Sequence, residues 1–107
     1  MKAIKILFIL LILPTFAFAQ KASLKGKVVD ISNNEPLPFV NVIVSGTTIG
    51  ATTDIDGNFI LTGLNPGFIR IEASFVGYKQ AISSEVEVSV ANINFIEIQL
   101  QESTEEL

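Results

Sequence analysis

From Lys21 onward the sequence alternates apolar and polar side chains with a period of two, and no segment sustains the period of about 3.6 residues that marks an amphipathic helix. Leu24, Gly26 and Val28 alternate with Lys25, Lys27 and Val29, giving a first strand that reaches about Asp30. Residues 39–44 are nearly continuous in apolar side chains, as expected of a strand covered on both faces. Short strands follow at about 49–53 and 59–62. Ile69, Ile71, Ala73 and Phe75 then alternate with Phe68, Arg70, Glu72 and Ser74 in one strand over 68–75. Strands over 85–90 and 96–100 complete the set, the first with Glu85 and Glu87 on a wet face. About seven short strands in some 80 residues predict an all-β sandwich or small barrel.

The residues between these strands are turn formers. Asn33-Asn34 tolerates left-handed backbone, and Asp54-Ile55-Asp56-Gly57-Asn58 predicts a hairpin because Gly57 accepts positive φ. Pro66 followed by Gly67 suits a type II turn. Val76-Gly77-Tyr78-Lys79 breaks the alternation, and the Tyr78 ring is expected to close an edge of the sandwich. Residues 101–107 are acidic, nearly devoid of apolar side chains, and read as a solvated tail.

The front of the chain obeys a different pattern. Lys2 and Lys5 precede an unbroken apolar run from Ile6 to Leu13, Pro14 ends it, and Ala17-Phe18-Ala19 supplies the small-x-small pattern of a cleavage site before Gln20. Residues 1–19 therefore read as a secretory signal peptide, with the domain at 20–100 and a tail or linker start at 101–107. The run holds eight residues, far short of the roughly 20 that span a bilayer. No cysteine stands at the cleavage point to accept a lipid. The mean hydropathy of +0.52 is therefore an average over two unlike segments. Beyond residue 19 the chain carries five of the seven Lys and Arg but all eleven Asp and Glu, a balance of −6.

That composition removes most chemistries. With no Cys and no His there is no disulfide framework, thiolate nucleophile, zinc site of the usual kind or imidazole catalyst. The acidic balance argues against nucleic acid as a partner. Asp54, Asp56 and Asn58 fall at alternate positions of a calcium loop. An EF-hand register would then put Thr52 first and Gly63 last, where a bidentate Glu is needed, so turn chemistry accounts for the motif better. The serines lack a G-x-S-x-G elbow, and no glycine loop suits phosphate. No catalytic, cofactor-binding or metal-binding residue is assigned, and no small-molecule substrate is indicated. Asp56, Gly57, Pro66, Gly67, Gly77 and Tyr78 are assigned as structural turn positions.

An ordered set of short motifs resembles the carboxypeptidase-regulatory-like domain: Gly26-Lys27-Val28-Val29-Asp30, Glu35-Pro36-Leu37-Pro38, Val40-Asn41-Val42, Thr53-Asp54-Ile55-Asp56-Gly57-Asn58-Phe59, Leu64-Asn65-Pro66-Gly67 and Val76-Gly77-Tyr78-Lys79. The resemblance covers about Leu24 to Leu100 and implies a seven-stranded, transthyretin-like (prealbumin-like) β-sandwich. In metallocarboxypeptidases such a domain is a non-catalytic accessory. A signal peptide leading straight into one looks most like the N-terminal extension of TonB-dependent outer-membrane receptors that import glycans and other nutrients. There an acidic linker, a TonB-contacting segment, a plug and a barrel follow, and Gln101 to Leu107 is similar to the start of that linker.

The resemblance implies export to the periplasm or outer membrane of a Gram-negative bacterium, with another envelope protein or the remainder of a receptor as partner. No plug or barrel sequence occurs in the 107 residues, so transport is not carried over. A truncated reading frame, a fragment and a free-standing module remain as origins. A carbohydrate- or surface-binding sandwich is the alternative function, set back by the absence of Trp and the presence of a single Tyr. The transthyretin-like hydrolases, which act on a purine-pathway intermediate, depend on histidines that this chain lacks.

Overall fold

A computed structural model describes residues 20–103. The signal peptide read at 1–19, including Ala19 at the expected cleavage point, lies outside the described residues, as do 104–107 of the tail. Gln20, the other cleavage residue, is exposed and precedes the first strand. Among the described residues every regular element is a strand: β1 (Ala22–Asp30), β2 (Asn41–Val44), β3 (Gly50–Thr52), β4 (Asn58–Leu64), β5 (Gly67–Ile69), β6 (Ile71–Ser74), β7 (Ala81–Ile82), β8 (Val86–Val88) and β9 (Asn94–Leu100).

β1 is the middle of one sheet, in the order β4-β1-β9. A second sheet runs β3-β2-β6-β7, and β5 pairs with β8 alone. β9 lies parallel to β1, in register from Leu24↔Asn94 to Asp30↔Leu100, while β4 lies antiparallel on its other side. The alternation along each strand becomes two packed faces. Leu24, Val28, Phe59, Leu61, Ile98 and Leu100 from the first sheet share one buried cluster with Val42, Val44, Ile71 and Ala73 from the second. The residues between them, such as Lys25, Ile60, Glu97 and Gln99, are exposed. The molecule is an all-β sandwich.

Gly26 sits at the centre of β1, and its missing side chain is a packing requirement. A Cβ there would lie 2.5 Å from Phe59 Cε1 and 2.8 Å from the Ile96 carbonyl oxygen. The Phe59 ring fills that space and is itself 5% exposed.

The count of seven strands is not what forms. The single strand expected over 68–75 is divided at Arg70: β5 pairs with β8, whereas β6 pairs with β2 and β7. The side-chain alternation runs on through the break, so Ile69 and Ile71 both face inward while the backbone changes partners. The Arg70 carbonyl accepts a hydrogen bond from the Ser45 N–H at 2.9 Å, so the carbonyl at the switch stays paired. β7, two residues long, has no counterpart in the sequence reading. The strand expected from Phe39 begins instead at Asn41, because Phe39 adopts a φ of +61°.

The turn at 54–58 also differs from a hairpin within one sheet. β3 belongs to the second sheet and β4 to the first, so this tight reversal carries the chain across the sandwich. At the far end, the backbone of Gln101 to Ser103 is held in place while the Gln101 and Glu102 side chains stay exposed to solvent. The Lys79 N–H donates to the Gln101 carbonyl and the Ser103 N–H to the Gly77 carbonyl, each at 2.8 Å. Backbone pairing needs no apolar side chains, which is why an acidic segment can close an edge.

Candidate functional site

Beyond Lys27, β4 no longer pairs with β1, and loops take its place. The Val28 N–H donates to the Gly57 carbonyl at 2.8 Å, and the Val28 carbonyl accepts from the Leu37 N–H at 3.0 Å. Val29 makes an isolated bridge to Pro36, and the Asp30 N–H donates to the Glu35 carbonyl at 2.9 Å. Segments 31–40, 53–57 and 75–79 therefore meet at one end of the sandwich, around the end of β1 and the start of β4.

Thr53 is the buried pin of this end, 2% exposed. Its hydroxyl donates to the Leu37 carbonyl at 2.7 Å and accepts the Val40 N–H at 2.9 Å. Its backbone bonds both Phe39 and Val40. Next to it, Asp54 Oδ1 accepts the amides of Asp56 at 3.0 Å and Asn58 at 2.9 Å, the geometry by which an Asp side chain closes its own turn. The carboxylate that a calcium loop would aim at a cation is here turned into its own backbone.

Tyr78 and Asp30, 48 residues apart, tie the third segment in. The Tyr78 hydroxyl donates to Asp30 Oδ2 at 2.6 Å, and Asp30 Oδ1 accepts the Ser32 hydroxyl at 2.6 Å and the Ser32 N–H at 2.8 Å. The Tyr78 ring meets Phe75 edge-on at 5.6 Å. These bonds favour the carboxylate, so Asp30 is held below its ordinary value, first by the Ser32 hydroxyl and then by Tyr78, against the opposing effect of burial. The Tyr78 phenol is pushed up to about 12, chiefly by the hydrogen bond to Asp30, with burial and the charges of Asp30, Glu102 and Glu35 adding to it.

The two groups act on stability in opposite pH ranges. The depressed Asp30 contributes above its ordinary value of about 4, and that contribution is lost as pH falls through its lower folded value. The raised Tyr78 contributes fully below about pH 10 and loses its contribution as pH rises toward its folded value. Because Tyr78 is the one tyrosine and there is no Trp, phenolate absorbance reports on it alone. An alkaline titration is expected to show a midpoint near about 12 while circular dichroism stays native, with Asp30→Asn returning the midpoint toward the ordinary value. A wild-type midpoint near about 10 would contradict the Tyr78–Asp30 contact.

The remaining turn positions scatter. Gly57 has a φ of +78° and Gly77 of +88° at the loop end, with Asp56 exposed beside Gly57. Pro66 lies between β4 and β5 and Gly67 opens β5, away from these loops, and Gly67 at +143° departs from the roughly +80° of a type II turn. The loop end also displays large apolar groups to solvent: Ile31, Phe39, Ile55 and Val76. Phe39 is the unusual one, a bulky side chain held in the left-handed region at a cost of about 1–2 kcal/mol. Sequence reading placed it inside a strand, and no local signal marks its φ. A shallow groove of about 610 Å³ runs over β3, β4 and β1 from Lys25, Ile60 and Phe95 to Thr52, Asp54 and Asn58, so it adjoins the turn at 54–58. No group of three or more metal-ligating side chains occurs among the described residues.

Comparison with known proteins adds the family. Residues 24–107 match the CarboxypepD_reg-like domain. The chain belongs to this family. As a CarboxypepD_reg-like domain it is similar to curated receptors, two of which show the extent of the match. With the TonB-dependent receptor SusC of Bacteroides thetaiotaomicron it shares 46% identity over 63 residues, which are 59% of this chain and 6% of the receptor. With the TonB-dependent receptor P3 of Formosa agariphila it shares 32% over 97 residues, 90% of this chain and 9% of the receptor. The domain thus spans less than a tenth of the length of either relative.

Solved structures that share its fold include the following two. One is a chain of a type II cohesin–X-dockerin complex from Acetivibrio cellulolyticus, with a TM-score of 0.61, 20% identity, and coverage of 75% of this chain and 57% of that one. The other is the minor pilin of Streptococcus agalactiae, at a TM-score of 0.57, 18% identity, and coverage of 81% and 47%.

Proposed function

We propose that this chain is a non-catalytic, exported docking module, the N-terminal domain of a TonB-dependent outer-membrane receptor. The observation that carries the reading is the match to a receptor over 90% of this chain and 9% of the relative, since a domain shared in that proportion is one module of a larger protein. The loop end supports the non-catalytic part. Its buried polar groups, Thr53 and Asp30, are engaged in holding loops together rather than aimed into a cavity. The charged tail after Leu100 and the signal-peptide pattern at 1–19 agree with a domain that is exported and then connected onward.

The gene beyond the Leu107 codon tests the receptor reading. Plug and barrel coding in frame is the expected result, with the mature protein beginning at Gln20 by intact mass. A downstream sequence with no plug or barrel in any frame would overturn it.

A further inference from the structure

We propose that the loop end of the sandwich is a docking tip, with the Phe39 ring as its anchor, for a protein segment that carries basic and apolar side chains. The inference rests on the docking reading only in taking the domain to have a protein partner.

The backbone at Phe39 is explained by the fold. Its N–H donates to the Thr53 carbonyl at 3.0 Å, and the next residue is pinned through the Thr53 hydroxyl. The ring is not explained. It is 70% exposed, so core packing does not offset a φ of +61° that glycine would adopt without strain. Asn34, the other non-glycine residue at positive φ, belongs to a type that tolerates it. A strained residue that keeps a large ring in water points to a role for the ring outside the fold.

Phe39 is not alone. Ile31, Ile55 and Val76 stand exposed on the three segments that meet here, with Ile55 at 78% and Val76 at 94%. Their charged neighbours are mostly of one sign. Glu35, Asp54, Asp56 and Glu102 are exposed, and Asp30 lies behind them, against Lys79 and the half-buried Lys27. Exposed apolar groups and carboxylates carried by the same converging segments fit a partner with lysine or arginine around apolar side chains. The same charges repel an anionic lipid surface and a head-to-head second copy.

The chain, purified after export from an expression host, is titrated with a short lysine-flanked Phe/Leu peptide. Parallel titrations use its glutamate-flanked counterpart and phosphatidylglycerol vesicles. The lysine-flanked peptide is expected to bind and to shift the NMR signals of Ile31, Phe39, Ile55 and Val76. Phe39→Gly is expected to weaken binding about tenfold or more while melting at the same or a higher temperature than wild type. The double variant Glu35→Lys, Asp56→Lys, which touches no side-chain hydrogen bond of the loops, is expected to weaken it similarly. Absence of binding overturns the proposal, as does equal binding by Phe39→Gly or a lower melting temperature in that variant. Preference for the glutamate-flanked peptide or the vesicles does the same. A gene without plug or barrel would remove the receptor reading and leave the tip untouched.

Discussion

Gly57→Val is expected to lower stability by about 3 kcal/mol or more, a quarter or more of the total stability of a domain this size. Two costs combine. At a φ of +78° a β-branched side chain is strained, by about 1–3 kcal/mol. The Cβ itself would also stand 2.7 Å from the Val28 carbonyl oxygen, 3.0 Å from Pro36 Cβ and 3.2 Å from the Leu37 nitrogen. Two of those three are backbone atoms that already bond each other, so relief requires the 28–37 contact to open. The fold has little to spare, since 84 described residues correspond to a total stability on the order of 4–12 kcal/mol.

Gly46 separates the two costs. Its φ is +76°, nearly that of Gly57, and a Cβ there meets nothing within 4 Å. Gly46→Val carries the strain alone and is expected to cost about 1–3 kcal/mol. Urea melts of both variants with a common slope give the comparison. Equal losses in the two would show that the close approach at Gly57 is not what the fold depends on.

The sandwich was legible in the sequence because its main strands satisfy a local rule. Along most of β1, β4 and β9, inward residues recur every second position, as in Leu24-Gly26-Val28, Phe59-Leu61 and Ile98-Leu100, and one buried face accounts for them. What the pattern does not contain is the choice of backbone partner. Ile69 and Ile71 keep the same inward side across Arg70, yet β5 and β6 bond different sheets. That choice is made by strands far away in sequence.

The candidate site was less legible for the same reason. The break in alternation predicts Tyr78 at an edge, but its partner Asp30 is 48 positions earlier, and no spacing rule connects them. The apolar run predicts Phe39 in a strand because apolar content marks burial on average. Its exposure follows from a φ set by Thr53, fourteen residues later. Gln101 to Ser103 reads as tail because it lacks apolar groups, while its pairing with Gly77 and Lys79 uses main chain alone.

Thr53 itself is where one side chain decides the shape of the loop end. Thr53→Val preserves volume and β-branching, and removes only the hydroxyl. It is expected to cost about 2–4 kcal/mol, because the Leu37 carbonyl loses its donor and the Val40 N–H its acceptor at a site that is 2% exposed. Thr53→Ser keeps both bonds, loses a methyl group, and is expected to cost about 1 kcal/mol. The order matters more than either value: packing alone predicts that Ser is worse than Val, and hydrogen bonding predicts the reverse. Amide exchange localises the effect, with the Val40 N–H expected to lose protection in Thr53→Val under conditions where Leu61 and Ile98 keep theirs. If Val matches wild type within about 0.5 kcal/mol, or Ser falls below Val, the loop end is held by packing, and the Thr53 hydroxyl is not the reason that Phe39 is turned outward.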